Sequence, residues 1–195
     1  MSIICSKHVC TLLYSNFVPE ALEASGIAQK MSQNWFSLQT PKRGNNLLTQ
    51  SFSFWQHEWS KHGTCASNTN GKGYMSQQEY FATTLRLTER FNVSKLLRDA
   101  KIYPSNKHVY TRESIHQALS PIIDLGALRL SCDRLPQTDE TVGVLSEIQI
   151  CLDLNFDTIN CGHLIDSGIP RRNIEALTGG VDDHECGYRV ILMAT

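Results

Sequence analysis

Within the segment Phe54-Trp55-Gln56-His57-Glu58-Trp59-Ser60-Lys61-His62-Gly63-Thr64-Cys65, two imidazoles, a carboxylate and an ammonium fall between positions 57 and 62. If residues 54–63 form a helix that Gly63 ends as a C-terminal cap, a turn of about 100° per residue gathers His57, Glu58, Lys61 and His62 on one face. Trp55 and Trp59, four apart, fall on the adjoining side and can anchor that helix in a core. Such a cluster can be read in three ways. A zinc-protease helix needs His-Glu-x-x-His, so that two imidazoles stack at i and i+4; here the second histidine comes at i+5, and the Lys61 ammonium occupies i+4, where it would repel a metal. An ordinary solvated helix face is the usual fate of charged side chains, but it leaves the crowding of tryptophans and histidines unexplained.

The third reading is cleavage of a phosphodiester. RNA can be cut without a metal when its own 2′-hydroxyl attacks the adjacent phosphorus. The reaction needs a base for the hydroxyl proton, an acid for the departing 5′-oxygen, and positive donors for charge on the phosphorane. Imidazole suits both proton transfers, because its unperturbed pKa is about 6.5. Lys61 and a protonated His57 can hold the non-bridging oxygens. Glu58 can orient an imidazole or, if protonated, donate to a phosphoryl oxygen.

The elements around this segment are partly legible. Pro19 to Lys30 is a short helical candidate broken by Gly26, and Pro41-Lys42-Arg43-Gly44-Asn45-Asn46 has turn chemistry. Ser76 and Glu79 form a capping box ahead of a helix that should run to about Phe91. Two more helices are expected, from Ser94 to Ala100 and from near Thr111 to just before Pro121. Ala127 to Cys132, Glu147 to Asp153 and Tyr188 to Met193 read as strands; in the second, Ile148, Ile150 and Leu152 alternate with Gln149, Cys151 and Asp153, the pattern of a half-buried strand. Helices first and strands later point to an α+β domain.

A chain of 195 residues with 41% apolar and 19% charged residues suits one globular domain. Its net charge of −1 gives no global basic field to recruit nucleic acid, which leaves room for an enzyme that engages a few phosphates locally. No apolar run approaches the roughly 20 residues of a membrane span. The seven cysteines, at 5, 10, 65, 132, 151, 161 and 186, show neither Cys-x-x-Cys pairs nor zinc spacing. Four lie in the last third beside strand-like segments, which suggests disulfides and an oxidising compartment. Met1 to Tyr14 carries Lys7 and His8 in its middle and has no uninterrupted apolar stretch, so no signal peptide is recognised in it. Asn92-Val93-Ser94 matches the glycosylation acceptor pattern, one that chance also produces.

FWQHEWSKHGTC closely resembles the second active-site segment of the ribonuclease T(2) family, including the S-like ribonucleases of plants. The likeness extends to Trp35, Tyr80-Phe81, Tyr110-Thr111-Arg112-Glu113-Ser114-Ile115, and the surroundings of Cys132, Cys151, Cys161 and Cys186, covering roughly residues 31–190. The resemblance implies an α+β fold, with helices packed on an antiparallel sheet and an incomplete N-terminal part. Residues 1–30 would be a divergent segment in place of the family's first active-site region, and 31–195 the ribonuclease-like domain. It implies cofactor-free and metal-independent cleavage of single-stranded RNA, through a 2′,3′-cyclic phosphate to 3′-phosphate ends. His62 matches the acid/base histidine, His57 the phosphate-binding histidine, and Glu58 and Lys61 the pair that stabilises the pentacoordinate phosphorus. By the same pattern Cys132 pairs with Cys186 and Cys151 with Cys161, while Cys10 is a candidate partner for Cys65. A monomer is expected, located outside the cell or in an endomembrane or vacuolar compartment, with no DNA or membrane as partner.

The family's other active-site segment, His-Gly-Leu-Trp-Pro, has no counterpart in this sequence. The only histidine before His57 is His8, in Ser-Lys-His-Val-Cys, and its neighbours do not match. A positioned acid or base contributes about 10²–10⁴-fold to a rate, so a chain lacking one is expected to cut RNA poorly. The alternatives are an impaired homologue that binds RNA or a protein partner, and a truncated isoform without function.

Overall fold

The computed structural model of the protein describes residues 16–37, 47–66, 73–134, 142–162 and 186–193. They fall into two compact units, one within Cys5–Arg90 and the other within Phe91–Thr195.

The first unit is helical: α1 (Pro19–Ala24), α2 (Ile27–Asn34), α3 (Leu47–Lys61), a 3-10 turn over Gly63–Cys65, and α4 (Gln77–Arg90). Proline in the first turn of α1 forfeits an amide that no helical carbonyl could have reached. Gly26 separates α1 from α2 at φ 71°, a left-handed conformation that costs glycine nothing and a β-carbon residue about 1 kcal/mol or more. The break expected at this glycine is therefore real, and a second helix follows it. At α4 the capping box forms as expected: the Ser76 amide donates to Glu79 Oε2 (2.7 Å) and the Glu79 amide to Ser76 Oγ (3.3 Å). Gln77, a buried polar residue, is satisfied by a reciprocal pair with the Val18 backbone, its Oε1 accepting at 2.8 Å and its Nε2 donating at 2.9 Å. That pair ties the start of α1 to the start of α4 across 59 residues.

The second unit holds α5 (Val93–Asp99), β1 (Tyr110–Thr111), α6 (Arg112–Leu119), a 3-10 turn (Leu125–Ala127), β2 (Leu128–Asp133), β3 (Val142–Ile150) and β4 (Arg189–Ile191). Asn92 caps α5 by accepting from the Lys95 amide, and Thr111 caps α6 by accepting from the Ser114 amide. Helix α5 ends with the Lys101 amide bonded to the Arg98 carbonyl and the Ile102 amide to the Leu97 carbonyl. This places Lys101 at φ 62°, the position glycine usually takes in such a terminus.

The sheet order is β1-β4-β3-β2. β1 with β4 and β2 with β3 run antiparallel, as the resemblance implies, while β3 and β4 run parallel, which makes the sheet a mixed one. A parallel neighbour cannot be reached by a tight turn, and more than 35 residues separate Ile150 from Arg189. The second strand also begins earlier than expected, at Val142, and stops at Ile150. Its alternation fails at the end: Gln149 and Ile150 are both buried while Ile148 is only half-buried, because both faces are covered there. Gln149 escapes the penalty of burial by donating to Glu147 Oε2 at 2.8 Å.

Both disulfides implied by the resemblance are present, Cys132–Cys186 and Cys151–Cys161. The register of β2 against β3 shifts between Ser131 and Cys132, where Ser146 of β3 is the extra residue, directly before Cys132 of the first disulfide. Gly143 makes room for it, since a Cβ there would lie 2.8 Å from Cys132 Cβ and 3.0 Å from its Sγ. The suggested Cys10–Cys65 pair, and residues 1–15 with His8, lie outside the described residues.

A candidate active site at the end of helix α3

The helix that carries the motif starts seven residues earlier than expected and stops at Lys61. Its inner face is built from tryptophan. Trp55 and Trp59 are 0% and 1% exposed, one turn apart. Trp55 donates its indole N–H to the Trp35 carbonyl at 2.7 Å and meets the Phe52 ring edge-on. Trp59 packs against Tyr80, and Trp35 lies between Phe54 and Phe81. Trp35, Tyr80 and Phe81, singled out by resemblance, therefore form the aromatic bed under the motif.

With the inner face so held, the remaining directions of α3 are decided. His57 and Lys61, at i and i+4, are exposed on the outer side. Glu58 lies one residue round towards the core and is half-buried. His62 is the informative case. In a continued helix it would stand seven residues beyond Trp55, within about 20° of that buried direction. Instead the helix ends at Lys61, His62 takes φ −125° and ψ −43°, and its side chain is exposed. Its amide still donates to the Glu58 carbonyl at 2.9 Å, so the residue stays tethered to the turn that carries Glu58.

Gly63 makes this exit possible, though not as the left-handed cap that the sequence suggested. Among the described glycines only Gly26 has positive φ. The need at Gly63 is steric: a Cβ there would fall onto Cε3 of the Trp59 indole and 2.7 Å from Cζ3. The backbone leaves α3 pressed against that ring, and only glycine is thin enough. The contact is not legible in the sequence, because it depends on the indole rotamer.

The four predicted side chains thus gather at one end of α3: His57, Lys61 and His62 in solvent, Glu58 at the edge of the core. One cation-capable imidazole and an ammonium flank a carboxylate and a second imidazole, a donor-rich surface suited to a phosphate with a proton carrier beside it. Among the described residues no three His, Cys, Asp or Glu side chains are grouped to hold a metal ion, and no helix is long and apolar enough to cross a membrane.

The chain is 33% identical over 115 residues to Ribonuclease T2 of Danio rerio, covering 59% of this chain and 46% of that protein. It is 33% identical over 113 residues to Ribonuclease Oy of Magallana gigas, covering 58% and 51%. The chain thus spans about half the length of these curated relatives. Among solved structures, RNase NT in complex with 5′-AMP superposes with a TM-score of 0.67 at 24% identity, over 94% of this chain and 73% of that one. Human RNase T2 superposes with a TM-score of 0.66 at 22% identity, over 93% and 77%. At such identities the superpositions carry the fold alone. The model of the Ribonuclease T2 family matches residues 5–161, which include the whole of α3 and its aromatic bed. By sequence over most of its length and by fold, the chain belongs to the Ribonuclease T2 family.

Proposed function

We propose that this chain is a metal-independent endoribonuclease that cleaves single-stranded RNA by transphosphorylation, with low activity. The observation that carries the reading is the placement of His57, Glu58, Lys61 and His62 at the solvent-facing end of α3, above a rigid tryptophan bed. His62 moves the proton. It takes one from the 2′-hydroxyl or gives one to the departing 5′-oxygen as the O2′–P bond forms and the P–O5′ bond breaks. His57, protonated, holds a non-bridging oxygen, Lys61 stabilises the negative charge that builds on the phosphorane oxygens, and Glu58 in its protonated form donates to one of them. The product is a 2′,3′-cyclic phosphate, opened by water to a 3′-phosphate. DNA is not a substrate, because it has no 2′-hydroxyl to attack.

Low activity follows from the count of proton carriers. Two transfers are needed, and the motif supplies one acid/base histidine; without the second, about 10²–10⁴-fold of rate is lost. The two disulfides favour an oxidising compartment, outside the cell or within the endomembrane or vacuolar system. The test is digestion of a single-stranded oligoribonucleotide at about pH 5 with a chelator present. Slow cleavage to cyclic-phosphate ends, abolished by His62→Ala, is expected. Cleavage that needs a divalent ion, or that leaves 5′-phosphate ends, would remove the reading. Fast cleavage abolished by His62→Ala would retain the mechanism and overturn the impairment.

A further inference from the structure

We infer that Asn92 is an N-glycosylation site, carrying an oligosaccharide on its side-chain nitrogen. The inference rests on the reading that the chain enters an oxidising, secretory-type compartment, and adds to it a modified residue and its geometry. Asn92-Val93-Ser94 is the only Asn-x-Ser/Thr triplet in the 195 residues. On its own that pattern says little, and most of its weight comes from where the fold puts the three residues.

Asn92 and Ser94 are both exposed, and Asn92 stands just outside α5 as its N-cap. The two atoms of its amide have separate duties. Oδ1 accepts from the Lys95 amide at 3.0 Å, while Nδ2 makes no hydrogen bond among the described residues. Glycosylation uses the nitrogen alone: the sugar's anomeric carbon gains a bond to Nδ2, its bond to the phosphate of a lipid pyrophosphate donor breaks, and Nδ2 releases a proton. The modified amide keeps its carbonyl oxygen, so the cap on α5 survives. Modification is therefore compatible with the folded structure at no cost in helix capping, and the glycan projects into solvent from an exposed turn. An asparagine whose nitrogen was held in a hydrogen bond, or that was buried beside Leu96, would exclude it.

Ser94 allows the site to be tested without touching the cap. The full chain, and its Ser94→Ala and Ser94→Thr variants, would be translated behind a cleavable secretory leader into microsomes. The peptide spanning Asn92 would then be mapped after peptide-N-glycosidase treatment in heavy-oxygen water. The wild type and Ser94→Thr should yield an isotope-labelled aspartate at that position, and Ser94→Ala none. A translocated wild-type chain whose Asn92 stays bare overturns the inference; because the leader enforces entry, that result is separate from failure of the localisation reading. That reading fails instead if the natural protein is found with Cys132 and Cys186 as free thiols.

Discussion

At Gly63 the chain passes so close to the Trp59 indole that no β-carbon fits, and the exposed position of His62 depends on that passage. Gly63→Ala must push either the indole or the 3-10 turn, and the indole is 1% exposed with no room to yield. We expect a loss of about 1–3 kcal/mol, the usual cost of overpacking, measured by urea unfolding. Cleavage should fall by more than the loss of folded protein explains, because His62 moves with the turn. His62→Ala should leave stability within about 0.5 kcal/mol of wild type, as for an exposed side chain, while removing activity. At this scale the sequence was most informative about identity and least about geometry. His57, Glu58, Lys61 and His62 were singled out by type and spacing, yet a regular helix would have turned His62 towards the core. The end of α3 at Lys61 corrects that, and its steric cause was hidden in a contact between a glycine and a ring four residues earlier.

Among the elements, the helix ends were the most legible, since capping is local chemistry. The Ser76–Glu79 box illustrates this and also makes a pH prediction. The backbone hydrogen bond from Ser76, aided by its side chain, holds the Glu79 carboxyl below the ordinary carboxylate value. A carboxyl depressed in the folded state stabilises it above the unfolded pKa and loses that contribution as pH falls through the lower, folded value. Glu79→Gln should therefore be slightly less stable than wild type near neutrality and converge with it in strong acid, read as melting temperature against pH. The difference should be small, because the carboxylate is fully exposed and water screens it. Lys101 gives a prediction of opposite sign. It sits at φ 62° after α5, where glycine is free of strain, so Lys101→Gly should stabilise the protein by up to about 1 kcal/mol in denaturant titration. The strands were less legible than the caps. Gln149 looks like a solvent-facing strand residue and is buried, because coverage of a sheet's two faces is decided by segments distant in sequence.

For the molecule as a whole, the disulfides bear most on stability in the second unit. Cys132–Cys186 closes 54 residues and Cys151–Cys161 closes 10. Chain-entropy arguments assign them about 4 and about 3 kcal/mol. Replacing Cys132 and Cys186 together by serine should lower stability more than replacing Cys151 and Cys161, and calorimetry under non-reducing conditions would rank them. The family was readable in the residues themselves, because the motif rests on side-chain type at fixed spacing, and the disulfide partners followed from the resemblance it carries. The parallel pairing of β3 with β4, the burial of Gln149 and the outward turn of His62 were decided only by tertiary structure. Each depends on which surfaces meet across long stretches of chain, or on how a large ring fills the space beneath the backbone, and no local pattern of residues encodes that. The motif at 57–62 pointed to the family; the tryptophan bed and the thin glycine beside it turned three of its four polar side chains to solvent.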